Sequence, residues 1–175
     1  MATPTSLPAT FVAGNVLTAA EMNALRGAFR ILQVVEGSTT TPVTIATTTL
    51  TSIGLSASIT PSSTDSKVLV VAMTHVFHER ANNNMTRGYQ LNRAGSPLIT
   101  YDATTANDFR SVTALGATTV RELTRDVYLY LDAPATTSST TYDVDANISG
   151  TSSSQTSTYQ VNNDPSKIYL LEVSA

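Results

Sequence analysis

From residue 29 to the end of the chain, apolar side chains recur mainly at every second position, the period of a half-buried β-strand. Residues 29–35 form the first such run, and 43–45 with 47–50 the second. A third carries Ile53, Leu55, Ala57 and Ile59 in alternation with Ser and Gly until Pro61 stops it. A polar turn at 62–66 leads into 67–73, which is apolar at consecutive positions and reads as a central strand buried on both faces. Alternation resumes at 89–93, breaks at the turn Ala94, Gly95, Ser96, Pro97, and continues over 98–101. Residues 102–118 are ambiguous, with short strand candidates between Phe109 and Leu115. The run 120–131 is long and its second half strongly β, and Pro134 with the polar stretch 135–140 ends it. Tyr142, Val144, Ala146 and Ile148 then alternate with Asp143, Asp145 and Asn147. A Ser-rich loop is expected at 150–157 and a last strand at 167–173. About nine or ten short strands separated by turn residues predict an antiparallel β-sandwich or jelly roll rather than an α/β enzyme.

The start of the chain follows another rule. Residues 1–16 contain Pro4 and Pro8 and no periodic apolar pattern, so they read as an extended arm. Thr18 can then accept the N–H of Glu21 while Glu21 reaches back to the N–H of Thr18, which is a capping box. Leu17 and Met22 occupy the staple positions around it. Met22, Leu25 and Phe29 follow on one face at spacings of three and four, and Gly27 weakens the helix end. A helix of about ten residues is marginal alone and has to dock, on its own domain or on another protein. The expected organisation is a docking arm and helix over 1–28 and one all-β domain over 29–175. Leu17, Met22, Leu25 and Phe29 are the expected docking side chains.

Composition narrows the function. The 175 residues suffice for one core without disulfides or metal, and cysteine is absent, which removes thiol catalysis and thiolate ligands together. No apolar run approaches a membrane span, and the first basic residue is Arg26, so a secretory signal is not expected. Net charge is −3, with ten Lys and Arg spread thinly, so no nucleic-acid footprint forms. Charged residues make up 13% of the chain, about half the usual share. Ser and Thr take their place. They suit pleated surfaces and uncharged loops.

Several segments in order resemble small phage virion proteins. Residues 11–23, with Phe11, Ala13-Gly14, Leu17, Thr18-Ala19-Ala20 and Asn23, are similar to the opening of many phage tail or virion proteins. The stretch 52–70, containing Gly54-Leu55-Ser56, Ile59-Thr60-Pro61-Ser62-Ser63 and Ser66-Lys67-Val68-Leu69-Val70, resembles a strand–turn–strand of phage fibre-like domains. Residues 130–137 with Thr141-Tyr142, and the ending 168–173, are similar to their later strands. The resemblance implies a jelly roll like C1q and TNF-like domains and a homotrimer. It further implies a place on a virion assembled in the host cytoplasm, with other virion proteins as partners. The chain has no room for the shaft of a long fibre, so a tail-tip or fibre knob and a capsid decoration protein are the two positions that fit.

Candidate chemistry is sparse. His75 and His78 fall on opposite faces of a strand, His75 and Glu79 on one face, and no zincin spacing is present, so they read as solvated or interface groups rather than metal ligands. Asp143 and Asp145 share a face and could bind calcium or serve glycoside hydrolysis, especially if Asp126 or Asp132 joined them. Outward positions of an alternating strand give the same pattern with no function. Tyr128 and Tyr130 share a strand face and read as a packed pair, although exposed tyrosines could stack on a host-surface glycan. Arg80, Arg87 and Arg93 flank an Asn-rich loop and read as solvated charge. No nucleophile elbow, P-loop or dinucleotide fingerprint appears. The expectation is therefore a non-enzymatic virion structural protein without cofactor or metal. The alternative is a carbohydrate-binding module or receptor-binding protein that recognises host-surface glycans.

Overall fold

The computed structural model describes Thr18 and residues 31–80, 85–104, 110–112, 119–149 and 155–174. Its strands are β1 (Ile31–Thr39), β2 (Val43–Ile45), β3 (Thr51–Ile59), β4 (Lys67–Arg80), β5 (Met85–Arg93) and β6 (Ser96–Tyr101). They continue as β7 (Arg110–Val112), β8 (Val120–Asp132), β9 (Thr140–Ile148), β10 (Gln155–Tyr159) and β11 (Ser166–Val173), with one 3-10 turn at Val161–Asn163. No α-helix occurs among the described residues, and none of their segments is a helix long and apolar enough to cross a membrane.

The strands form two antiparallel sheets that face each other across one core. Sheet A runs β1-β11-β4-β10-β2, with β8 along the other side of β4, and sheet B runs β3-β9-β5-β6, with β7 on β5. The pairings are nested. β5 pairs with β6 inside β4 with β8, inside β3 with β9, inside β1 with β11. A long hairpin of this kind, folded over so that successive pairs fall in alternate sheets, is the jelly-roll arrangement that the period-two pattern predicts. The innermost hairpin turns on Ala94 and Gly95, both with positive φ (49° and 76°), the geometry of a two-residue turn that matches strand twist.

Alternation decides the core. Ile53, Leu55 and Ile59 of β3 and Tyr142, Val144 and Ile148 of β9 point inward from sheet B. Val68, Val70, Ala72 and Val76 of β4 and Ile168 and Leu170 of β11 meet them from sheet A. Each fully buried aliphatic contributes about 1.5–3 kcal/mol. The sheets approach so closely at Gly37 that a Cβ there would overlap the Ser56 carbonyl, Ala57 and Ile168. Glu172, buried at the far end of β11, accepts hydrogen bonds from Gln33 Nε2 (2.6 Å), Ser62 N (2.7 Å) and Ser62 Oγ (2.6 Å), fastening β1 and the 60–62 loop to β11.

Several expectations need correction. Residues 67–73 are not buried on both faces: Val68, Val70 and Ala72 are, but Leu69 and Val71 are half-buried and Met73 is exposed. The consecutive apolar run reflects two different surfaces, one facing the core and one facing outward. Residues 47–50 are bends rather than strand, because the chain there turns from sheet A into sheet B. The turn after β5 covers only Ala94 and Gly95, and β6 already begins at Ser96. The second half of the expected Ser-rich loop is strand β10, whose Gln155, Ser157 and Tyr159 face inward. The fold class is all-β, as the alternation implied.

Candidate interaction surface

β8 runs against the usual orientation of a half-buried strand. Its even positions Asp126, Tyr128 and Asp132 are buried, and Tyr130 is half-buried, whereas Leu123, Val127, Leu129 and Leu131 point outward. The inward side is matched residue by residue by β5, which lies across the core in sheet B. Arg87 Nη2 meets Asp126 Oδ2 at 2.6 Å with both side chains buried. Six residues further along each strand, Arg93 Nη1 donates to both oxygens of Asp132, each at 2.9 Å, and Tyr142 Oη donates to Asp132 Oδ2 at 2.7 Å. Between the two ion pairs the Tyr89 ring stacks on Tyr128, centroids 3.8 Å apart, and on Tyr101 at 5.1 Å.

This polar tie fixes which side of β8 faces in. Slipping the strand by one residue would bury leucines and carry Asp126 and Asp132 out, but it would leave the buried Arg87 without its counter-charge and break both bonds from Arg93 to Asp132. Burial pushes the Tyr128 phenol well above its ordinary range, and the nearby Tyr159 charge adds to this against the pull of Arg87. Tyr159 itself is pushed up to about 12, mainly by burial. These phenols stay protonated at neutral pH, and the Tyr128 hydroxyl lies 3.2 Å from Thr74 Oγ1.

The outer face of sheet A continues the leucines of β8 across neighbouring strands. Cross-strand partners share a face, so one row runs from Leu131 to Leu69, Leu171 and Val34. The next runs from Leu129 to Val71 and Tyr169, and the third pairs Val127 with Met73. An irregularity in β1 between Ile31 and Gln33 turns both Ile31 and Val34 outward, lengthening the patch. The exposed members keep between 38% (Met73) and 65% (Leu129) of their surface in solvent. Charge gathers at the rim, where Lys167 Nζ pairs with Glu36 Oε1 at 2.8 Å and Arg125 Nη2 lies 3.4 Å from Asp164 Oδ2.

The outer face of sheet B is of opposite character. Asn92 Nδ2 bridges Asp143 Oδ2 (2.8 Å) and Asp145 Oδ2 (2.9 Å), Gln90 Nε2 donates to Asn92 Oδ1 (2.7 Å), and Thr100 Oγ1 donates to Gln90 Oε1 (2.9 Å). Partial burial raises the Asp145 carboxyl, Asn92 lowers it, and the Asp143 charge raises it further, with a net upward shift. Ser58 and Thr141 hydroxyls meet at 2.7 Å beside this ladder.

The residues singled out in the sequence fall as follows. Asp143 and Asp145 do share a face, but Asp126 and Asp132 lie in the core with arginine partners, so the four make no acidic cluster. Tyr128 and Tyr130 share the inward side of β8, and Tyr128 is buried, so it offers no platform to a ligand. Arg80 and Arg87 are buried rather than solvated, because β4 and β5 extend further toward the Asn-rich loop than the pattern indicated. His75 and His78 are buried too. His78 Nδ1 lies 2.8 Å from Ser157 Oγ, and His75 Nδ1 lies 3.4 Å from Asp164 Oδ2, beneath the 3-10 turn. No group of three or more His, Asp or Glu able to hold a metal occurs among the described residues. Thr18 is exposed, while Glu21, Leu17, Met22, Leu25 and Phe29 lie outside the described residues, as do 1–17.

The outward leucines escaped sequence reasoning. The available signal was a matched spacing: Arg87 and Arg93 on one strand, Asp126 and Asp132 on another, with tyrosines in the same phase as the aspartates.

No family model matches the chain, and no curated protein matches it. Among solved structures, it is similar to a chain of the T13 viral particle of infectious bursal disease virus. The identity is 10% and the TM-score 0.33, over 82% of this chain and 36% of that one. A chain of the Gx strain of the same virus gives 12% and 0.32, over 96% and 42%. The chain spans less than half the length of either.

Proposed function

We propose that this chain is a non-enzymatic structural component of a virus particle and works only as part of an assembly. The observation that carries the reading is the inverted strand β8, whose acidic and tyrosine side is held in the core while its leucines face outward. A jelly roll of 13% charged residues with an apolar face of this size needs a neighbour to cover it. The resemblance of 11–23, 52–70, 130–137 with 141–142, and 168–173 to phage virion proteins supplies the kind of particle, a bacteriophage, and the expected stoichiometry, a homotrimer. Residues 1–28 would anchor the domain, through Leu17, Met22, Leu25 and Phe29, on a tail tip or on the capsid surface.

Purified particles test this. Quantitative mass spectrometry should find the chain at a fixed copy number, and gold-labelled antibody should place it at one site: few copies at the tail for a fibre knob, hundreds over the shell for decoration. A chain expressed during infection yet missing from purified particles would overturn the reading. Deletion of 1–28 should leave a folded, soluble domain that no longer joins the particle.

A further inference from the structure

We propose that the peptide bond between Asp164 and Pro165 is a self-cleavage site, cut in mild acid by the carboxylate of Asp164 itself. The inference goes beyond the particle reading and stands apart from it. It rests on the residue pair, on the strained turn before it and on the two cationic side chains at the carboxylate.

Asp164 and Pro165 form the one Asp–Pro pair in the chain. They join the 3-10 turn to β11 at the surface, where Asp164 is half-buried and Pro165 exposed, so water reaches the bond. The turn itself is conformationally costly. Gln160, Asn162 and Asn163 all take left-handed backbone angles (φ 54°, 58° and 59°) without being glycine, a strain that persists only where the surroundings impose it. His75 of β4 imposes it. Its carbonyl accepts from Gln160 N (2.9 Å), and its N–H donates to Ser166 Oγ (3.1 Å), which also accepts from Gln160 Nε2 (2.8 Å). One residue thus pins the chain on both sides of the bond.

The same residue addresses the carboxylate. The buried His75 ring brings Nδ1 to 3.4 Å from Asp164 Oδ2, and that nitrogen has no hydrogen-bond partner among the described residues. Arg125 Nη2 of β8 reaches the same oxygen, also at 3.4 Å. Both cationic side chains therefore engage Oδ2 and leave Oδ1 to act. Oδ1 of the ionised carboxylate bonds to the backbone carbonyl carbon of Asp164 and closes a cyclic anhydride. The C–N bond to Pro165 breaks, and its electron pair stays on the proline nitrogen, which takes a proton from acidic solvent. One water then adds to the anhydride and opens it to the side-chain and terminal carboxyl groups of Asp164. Proline suits the leaving position because its nitrogen carries no hydrogen and, as a tertiary amide, takes a proton more readily than an ordinary peptide nitrogen. His75 and Arg125 act through the carboxylate as positioning residues that restrict its rotation. The cut relieves the turn, while β11 remains paired to β1 and to β4.

The test uses the full chain, kept folded at about pH 4 to 5 and, in parallel, unfolded in urea at the same pH, with intact-mass spectrometry as the readout. The folded chain should yield fragments 1–164 and 165–175 about tenfold faster than the unfolded one. Asp164→Asn and Pro165→Ala should each abolish the cut. His75→Gln should remove the advantage of the folded chain and leave the rate in urea unchanged. Arg125→Gln, at an exposed side chain, supplies the same comparison where the histidine variant does not fold. A folded chain cut no faster than the unfolded one overturns the proposal, because the ordinary acid lability of the bond then accounts for the fragments. So does a cut that survives Asp164→Asn, or a folded positioning variant that keeps the wild-type rate.

Discussion

β8 and β9 follow one another in the chain, both alternate, and they turn their apolar residues in opposite directions. β9 buries Tyr142, Val144, Ala146 and Ile148 and leaves Asp143 and Asp145 at the surface. β8 buries Asp126, Tyr128 and Asp132 and leaves Val127, Leu129 and Leu131 outside. The difference lies in what each strand faces across the sandwich. β9 faces mostly aliphatic side chains, apart from the Tyr142 bond to Asp132, so burial of apolar area decides its phase. β8 faces Arg87, Tyr89 and Arg93 of β5, and two ion pairs with a stacked tyrosine outweigh the exposure of four apolar side chains. Alternation therefore reveals that a strand has two faces, and the opposing strand reveals which of them is inside.

Breaking the tie should have the largest effect. Arg87→Ala leaves Asp126 buried without its counter-charge and should lower unfolding free energy by about 3–5 kcal/mol. The double change Arg87→Met with Asp126→Leu should recover most of that loss. Urea unfolding of both variants reads the difference, and equal losses in the two would mean that the pair does not set the phase of β8.

A second polar anchor separates orientation from stability. Glu172 is buried at the end of β11; burial raises its carboxyl, but hydrogen bonds from Ser62, Ser66 and Gln33 outweigh this and hold it below the ordinary carboxylate range. Its folded-state pKa is thus depressed. The stabilisation it supplies is present above the unfolded value of about 4.3 and is lost as pH falls through the lower folded value. Glu172→Gln should cost about 1–3 kcal/mol at pH 7 and flatten the acid limb of a stability-against-pH curve. Retention of the wild-type acid limb in that variant would assign acid sensitivity elsewhere.

Smaller effects sharpen the contrast. Tyr142→Phe removes one donor from Asp132 while Arg93 keeps its two bonds, and should lower stability by about 1 kcal/mol in a thermal melt. Asp143→Ser, on the outward side of β9, should shift it by no more than about 0.5 kcal/mol. A loss from Asp143→Ser as large as that from Arg87→Ala would erase the distinction between the two strands.

Much of the architecture was legible because the alternation in β3, β9 and β11 is clean and Pro61, Gly95 and Pro134 punctuate it. β10 was not legible, since its inward residues Gln155, Ser157 and Tyr159 look like loop chemistry until Ser157 is seen against His78. The buried face of β4 was legible and its open face was not, because apolar residues occupy both and only the third dimension distinguishes core from contact. The surface proposed for assembly was hidden for the same reason. Its residues come from four strands that are distant in sequence and become neighbours only through nested pairing.

That nesting also orders events in time. The β5–β6 hairpin closes over two residues, whereas β1 meets β11 only after almost the whole domain has been brought together, and loop-closure entropy places such a pairing late. Substitution at Gly95 should slow refolding, and substitution in β1 should chiefly hasten unfolding, in stopped-flow chevrons. The leucine rows on sheet A need β1, β11, β4 and β8 side by side. A nascent or half-folded chain thus lacks the complete apolar face, so under the proposed assembly role the topology would act as a timer that withholds association until folding has finished.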